Sequence, residues 1–218
     1  RASPFSAWVS DISASFTFTF TFNEPVKGFD AGKIEVNGGT VGKFTEISPS
    51  VYTLVVTPNA GAVGVITVSV GAGAVVDLAN NPNEAASATQ AFDTIAPTAN
   101  ALISLHLWDD VGPKQGEIFA GDSTDDNKPE YRGTVDPSEV AFVRVFDNGM
   151  LLGTATVQPD GSWQFTPSGS LAAGPHQFEV QLVDAAGNES PLISPLPFVL
   201  EGPAPAAPAI TGVYDDQG

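Results

Sequence analysis

The chain has 218 residues, with 25 acidic against 8 basic side chains and no cysteine. A formal net charge of −17 repels nucleic acid and anionic membranes, because phosphate binding needs clustered Lys and Arg. The missing cysteine excludes disulfides and thiolate metal sites. The length exceeds one ordinary sandwich and fits two domains of about 100 residues each. No apolar run approaches the ~20 residues of a membrane span, so no membrane insertion is expected in this stretch. The abrupt start and end suggest part of a longer protein.

In chain order, the first strong signal is Phe16, Phe18, Phe20 and Phe22 alternating with Thr17, Thr19 and Thr21. At period two the four rings face one way, and rings of that size are expected inside a sandwich core. Further strands are predicted at Lys33–Val36, Val41–Ile47, Val51–Thr57, Val63–Val70 and Ala86–Phe92. Asn37–Gly39, Pro58–Gly61 and Asn80–Asn83 are turn chemistry. Asp93-Thr-Ile-Ala-Pro97 reads as a short linker, since proline ends strand pairing.

The pattern then starts again. A strand is predicted at Ala101–Trp108, followed by a long polar loop over Asp109–Lys128. Strands follow at Glu130–Val135, Val140–Asp147, Leu151–Val157, Ser162–Thr166, His176–Val183 and Ile193–Leu200. Asp147-Asn148-Gly149 and Asp160-Gly161 are hairpin turn signals. Glu201–Pro208 is a proline-rich, semi-rigid linker. Asp109-Asp110-Val111-Gly112 and Asp215-Asp216-Gln217-Gly218 each follow a strand that follows a proline linker, one sandwich length apart. The expected division is 1–95, 96–202, and 203–218 as a linker with the first strand, Ala209–Tyr214, of a third repeat. The fold class expected is all-β: tandem antiparallel β-sandwiches in an array.

Several motifs resemble the bacterial immunoglobulin-like extender repeats of large repeat-in-toxin-type surface adhesins. In the first unit these are Phe20-Thr-Phe-Asn-Glu-Pro-Val-Lys-Gly-Phe29, Tyr52-Thr-Leu-Val-Val-Thr-Pro58, Asp77-Leu-Ala-Asn-Asn81 and Asp93-Thr-Ile-Ala-Pro97. In the second they are Asp109-Asp-Val-Gly112, Ser123-Thr-Asp-Asp126, Tyr131-Arg-Gly-Thr134, Leu152-Gly-Thr-Ala155, Asp160-Gly-Ser-Trp163 and Val183-Asp-Ala-Ala-Gly-Asn188. The absence of an intersheet disulfide agrees with a bacterial relative. The resemblance implies immunoglobulin-like sandwiches, export to the bacterial cell surface, and stiffening by Ca²⁺.

The residues themselves offer one main candidate site. Asp109 and Asp110 end one strand, and Asp125 and Asp126 come before the next, so both pairs should converge at one pole of the second sandwich. Four close carboxylates repel one another unless a cation neutralises them. Ca²⁺ takes six to eight oxygens in flexible geometry, Mg²⁺ demands a tighter octahedron, and Zn²⁺ lacks Cys or clustered His here. A solvated acidic loop is the competing reading, and the resemblance favours calcium. Asp215 and Asp216 would serve the same station of the next repeat. At the opposite pole, Asp184 and Asn188 with Asp93 of the linker form either a junction site or an Asx-type turn. Asp77, Asn80 and Asn81 occupy the equivalent turn of the first unit, where a turn is the favoured reading.

Enzyme chemistry finds little support. His106 and His176 both lie within strand patterns, and no nucleophile elbow or phosphate-binding glycine loop is present. The expected role is a structural extender whose partners are adjacent repeats of the same chain, with an unknown distal ligand. The alternatives are an adhesive module for a glycan or protein, and an accessory domain of a carbohydrate-active enzyme.

Overall fold

A computed structural model describes residues 15–202 and 208–209. Among them there is no α-helix, only 3-10 turns at Ala31–Lys33 and Ala99–Ala101. The first unit contains β1 (Phe16–Thr21), β2 (Val26–Lys27), β3 (Ile34–Asn37), β4 (Gly39–Ser48), β5 (Val51–Pro58), β6 (Val63–Val70), β7 (Val76–Asp77) and β8 (Ala86–Asp93). One antiparallel sheet runs β1-β5-β4 and the other β3-β6-β8, with β2-β7 as a small ribbon. Alternation places Tyr52, Leu54 and Val56 of β5 and Ile66, Val68 and Val70 of β6 in one core. Burying side chains of this size contributes roughly 1.5–3 kcal/mol each.

Phe29 is the hub of that core. Its ring meets Phe20, Phe22, Phe44 and Tyr52 edge-on, with centroids 5.0–5.6 Å apart. Such contacts add about 0.5–1.5 kcal/mol each beyond area burial. The β1 rings are less enclosed than the sequence predicts. Phe16, Phe18, Phe20 and Phe22 pack on the core but stay half-buried, because β1 is the outer strand of its sheet.

The second unit contains β9 (Leu102–Asp109), β10 (Gly116–Ile118), β11 (Ser123–Thr124), β12 (Glu130–Val135), β13 (Phe142–Asp147), β14 (Met150–Thr156), β15 (Ser162–Phe165), β16 (Gly174–Val183) and β17 (Ile193–Leu200). Its sheets run β10-β9-β12-β15 and β11-β17-β16-β13-β14. Leu107, Tyr131, Val143, Trp163, Phe178, Leu182 and Phe198 share the core between them. Among the described residues no strand pairs between the two units.

The predicted polar loop at Asp109–Lys128 is not all loop. It holds β10, antiparallel to β9, and β11, parallel to β17. β11 is two polar residues held by backbone pairing, too short to carry a period. Most predicted boundaries shift by one or two residues, while Val63–Val70, Glu130–Val135 and Ile193–Leu200 coincide with the strands formed. The β13–β14 hairpin turns on Asn148 and Gly149, at φ 49° and 77°, the left-handed backbone that an Asn-Gly pair accepts. The expected strand Ala209–Tyr214, with Asp215 and Asp216, lies outside the described residues apart from Ala209.

Candidate metal-binding poles

The two acidic pairs of the second unit meet through Thr124. Its hydroxyl donates to Asp109 Oδ2 at 2.6 Å and accepts the Asp126 N–H at 3.0 Å. Asp109 Oδ1 accepts the Val111 N–H at 3.0 Å. Asp126 Oδ1 accepts the Lys128 N–H at 2.8 Å. Both aspartates are buried, Asp126 to 3% exposure, and Asp126 Oδ2 makes no hydrogen bond of ordinary geometry. Burial pushes the Asp126 carboxyl above its ordinary range, and the nearby charges of Asp109 and Asp110 add to this. Backbone N–H groups of Lys128 and Asp110 oppose the rise without cancelling it.

Asp110 and Asp125 are exposed. The Asp125 carboxylate lies against Gly112, where a Cβ would fall 2.1 Å from Oδ2. The Asp125 side chain is exposed and free to move aside, so it is the left-handed backbone, φ +65°, that favours glycine at this position of the Asp-Asp-x-Gly motif. Among the described residues no three His, Cys, Asp or Glu side chains are gathered so as to hold a metal. The acids therefore share a pole without forming a finished ligand cage. The chemistry of the donors fits a hard cation: two buried carboxylates, one buried oxygen without a hydrogen bond of ordinary geometry, and no nitrogen or sulfur ligand.

At the opposite pole, Asp184 and Asn188 close the β16–β17 turn. Asp184 Oδ1 accepts the Asn188 N–H at 2.8 Å, and Asp184 Oδ2 accepts from Asn188 Nδ2 at 2.7 Å. The same Nδ2 also donates to the Asp93 carbonyl at 3.2 Å. This bond ties the second unit to the linker in front of it. Asp93 meets the junction through its main chain, while its carboxylate accepts the Ile95 N–H at 2.9 Å. Asn188 is 1% exposed, and its Oδ1 has no hydrogen-bond partner, as is also true of Tyr131 Oη and Asp147 Oδ1 away from the two poles.

Asp77, Asn80 and Asn81 repeat that turn in the first unit. Asp77 Oδ1 accepts the Asn81 N–H at 2.8 Å and Oδ2 accepts from Asn81 Nδ2 at 2.8 Å. The Asn81 bonds hold the Asp77 carboxyl below its ordinary range. Asn80 has φ 69° where Gly187 has φ 84°, so Asn80 supplies the left-handed turn residue. The hydrogen bonds of the Asp77 carboxylate are local turn chemistry, and Asn80 is exposed.

Sequence reasoning missed one buried polar pair. His176 Nδ1 lies 2.7 Å from Asp147 Oδ2, its Nε2 lies 2.7 Å from the Ala172 carbonyl, and its ring stacks on Phe198. Asp147 reads as a turn former, but it is also this histidine's anchor. Twenty-nine residues separate the two, so no local spacing signals the pair. His106 instead faces outward against Glu117 at 2.5 Å. Trp108 is covered by Arg132, whose guanidinium carbon stands 4.1 Å from the ring centroid.

Two family models, each described as a bacterial Ig-like domain, match residues 6–94 and 102–200. No curated protein matches the chain. Among solved structures, the fibronectin(III)-like modules of Clostridium thermocellum CbhA are similar at 13% identity and a TM-score of 0.45, covering 91% of this chain and 92% of that one. Dimeric latent PorU from Porphyromonas gingivalis is 14% identical, with a TM-score of 0.34, over 88% of this chain and 20% of that one. The Yersinia pseudotuberculosis adhesin InvE is 16% identical, with a TM-score of 0.28, over 89% and 56%. At these scores no property of the chain is drawn from those structures.

Proposed function

The chain comprises two adjacent bacterial Ig-like domains, and on that footing we propose that it is a stalk segment of a bacterial surface adhesin, stiffened by Ca²⁺ at its poles. Its partners in this reading are neighbouring repeats, and its place is outside the cell. The observation that carries the reading is the buried Asp126 Oδ2 without a hydrogen bond of ordinary geometry, beside the charges of Asp109 and Asp110. A buried charged oxygen left unpaired costs several kcal/mol, and a cation removes that cost. Asp109 and Asp126, with Asp110 and Asp125 at the rim, would hold the ion there. The Asp184–Asn188 turn and the Asp93 carbonyl would serve the first junction, with Asn188 Oδ1 as the open ligand. Asp215 and Asp216 would repeat the role of Asp109 and Asp110 one repeat further on.

Calcium supplies charge neutralisation and a cross-link between loops; the chain supplies shape. Domain pairs with small interfaces move relative to one another by default, so tying the linker to a turn converts a hinge into a rod. Extracellular calcium modules bind with Kd on the order of 10⁻⁴–10⁻³ M. At about 100 times Kd, one site adds roughly 2.7 kcal/mol. The test is a thermal melt and a small-angle scattering profile, each with 10 mM calcium (about 100 times the tighter of these limits) and with chelator. A higher Tm and a longer, narrower particle in calcium are expected. No change in either overturns the reading, and a higher Tm with unchanged dimensions leaves calcium but removes the stiffened stalk.

A further inference from the structure

The buried pair of His176 and Asp147 takes no part in the poles, yet it holds a loop beside one of them. His176 is 8% exposed and Asp147 9%. The two contacts of the ring can be counted in protons. The Ala172 carbonyl, 2.7 Å from Nε2, can only accept, so Nε2 carries a proton. Asp147 Oδ2, 2.7 Å from Nδ1, needs a second proton between the two atoms, whether it rests on the ring or on the carboxyl. A neutral histidine beside an ionised aspartate has only one. Both contacts therefore close only when the pair holds two.

Little else offsets the charge that loss of one proton would create. Of the groups facing the pair, β17 supplies the uncharged ring of Phe198 and β12 supplies Tyr131. Burial first, and Asp147 after it, push the Tyr131 hydroxyl far up, so it stays neutral. Among the described residues no other charged side chain bonds to either partner, and Asp147 Oδ1 has no hydrogen-bond partner. With one proton left, the charge-assisted bond to the carboxylate is the stronger one and keeps it. Nε2 then turns a lone pair toward the Ala172 carbonyl. Asp147 is fixed within β13, whereas Ala172 is exposed in the loop of residues 166–173 between β15 and β16. The loop is the side that gives way.

That loop is tied elsewhere to the segment following Asp126. The Leu171 N–H donates to the Asn127 carbonyl at 2.8 Å, and Lys128 Nζ donates to the Ser168 carbonyl at 3.0 Å. The Leu171 side chain packs on the core. We propose that His176 and Asp147 form a proton-held latch: with two protons the pair keeps the 166–173 loop closed on the core, and loss of one releases the loop at Ala172 as pH rises. The inference rests neither on calcium nor on the stalk.

The sign follows from the proton count. Unfolded, the pair loses its second proton above the ordinary histidine value of about 6.5. Folding then takes up one proton, so the folded-to-unfolded ratio of the second domain falls with rising pH, by up to about tenfold per pH unit. Asp147→Asn removes the need for that proton. Its amide donates to Nδ1 while a neutral ring donates Nε2–H to Ala172. Urea melts and amide exchange of the full chain across this range test the latch. The wild type is expected to lose stability more steeply than Asp147→Asn, and its Leu171 amide to lose protection as pH rises, while the variant keeps it. In nitrogen-15 spectra one unit above the ordinary histidine value, His176 should show two slowly exchanging protons, at Nε2 and between Nδ1 and Asp147. The exposed His106 is the control, and this readout stands even if the variant does not fold. Equal pH slopes, or a single ring proton on wild-type His176, overturn the proposal. A steeper wild-type slope with Leu171 protected throughout also overturns it, because the pair then takes up a proton without holding the loop.

Discussion

Asp126 is the residue where the calcium reading is most exposed to failure. Its carboxyl is pushed above the ordinary range by burial first and by Asp109 and Asp110 after that. A carboxyl raised on folding binds protons more tightly in the folded chain. Its charge therefore costs stability at neutral pH, and the cost is relieved as pH falls through the raised value. Asp126→Asn removes the charge and keeps an Oδ1 acceptor for the Lys128 N–H. Without metal, the variant is expected to be more stable by about 1 kcal/mol at pH 7 and less dependent on pH in the mildly acidic range. With calcium it gains less than the wild type. A variant less stable than wild type in chelator, read by urea melts, contradicts this account. Asp147 supplies a contrast. Asp147→Ala leaves the buried Nδ1 of His176 without its partner, and a cost of about 1–3 kcal/mol is expected. Asp160→Ala loses only exposed turn bonds to Ser162 and costs about 1 kcal/mol or less.

At the scale of elements, the strands were legible wherever a period of two ran for six residues or more. β1, β5, β6 and β12 alternate visibly because one face of each lies on a core. β2, β7, β10 and β11 have two or three residues each, which no periodicity can resolve; β11 exists because β17 offers it a backbone edge. The candidate site was legible to the same degree. Paired acids one domain apart marked the pole, while the link through Thr124, the orphan oxygens and the main-chain role of Asp93 depend on tertiary placement. The two Asp-x-x-x-Asn turns read as one motif because spacing and bonds coincide. Asn80 and Gly187 share a left-handed backbone, so Asn80→Gly is expected to leave stability within about 0.5 kcal/mol. Asn80→Val costs about 1–2 kcal/mol. Equal melts for both variants would remove the left-handed requirement. In β12, Gly133 brings Ser104 O within 2.2 Å of where a Cβ would stand, with Trp163 Cζ2 at 3.1 Å. Gly133→Ala is therefore expected to cost about 1–3 kcal/mol by forcing β9 and β12 apart.

For the whole molecule, the question is whether cations act on a field or at sites. The 25 acidic and 8 basic side chains make a self-repelling surface that any salt relieves. Screening depends on ionic strength and falls off within a Debye length of about 8 Å in physiological salt. A site depends on the ion. Melts in NaCl, MgCl₂ and CaCl₂ at one ionic strength separate the two. If the field alone matters, the three salts raise Tm nearly equally, with a modest excess for both divalent ions. If the poles hold calcium, CaCl₂ exceeds MgCl₂, and the excess sets in near a Kd on the order of 0.1–1 mM and grows with the logarithm of calcium above it, because an irregular pole of carboxylates and carbonyls suits the larger, more flexible coordination shell. For domains of about 100 residues, roughly 2.7 kcal/mol at about 100 times Kd corresponds to a Tm rise of roughly 10–15 °C. That size sets the ion-specific effect apart from screening. The excess must also be confined: calcium should raise the transition of the second domain, which carries Asp109 and Asp126, more than that of the first, whose Asp77 turn is already satisfied by Asn81. Equal shifts of both transitions would locate the cations in the field and leave the poles as solvated acidic loops.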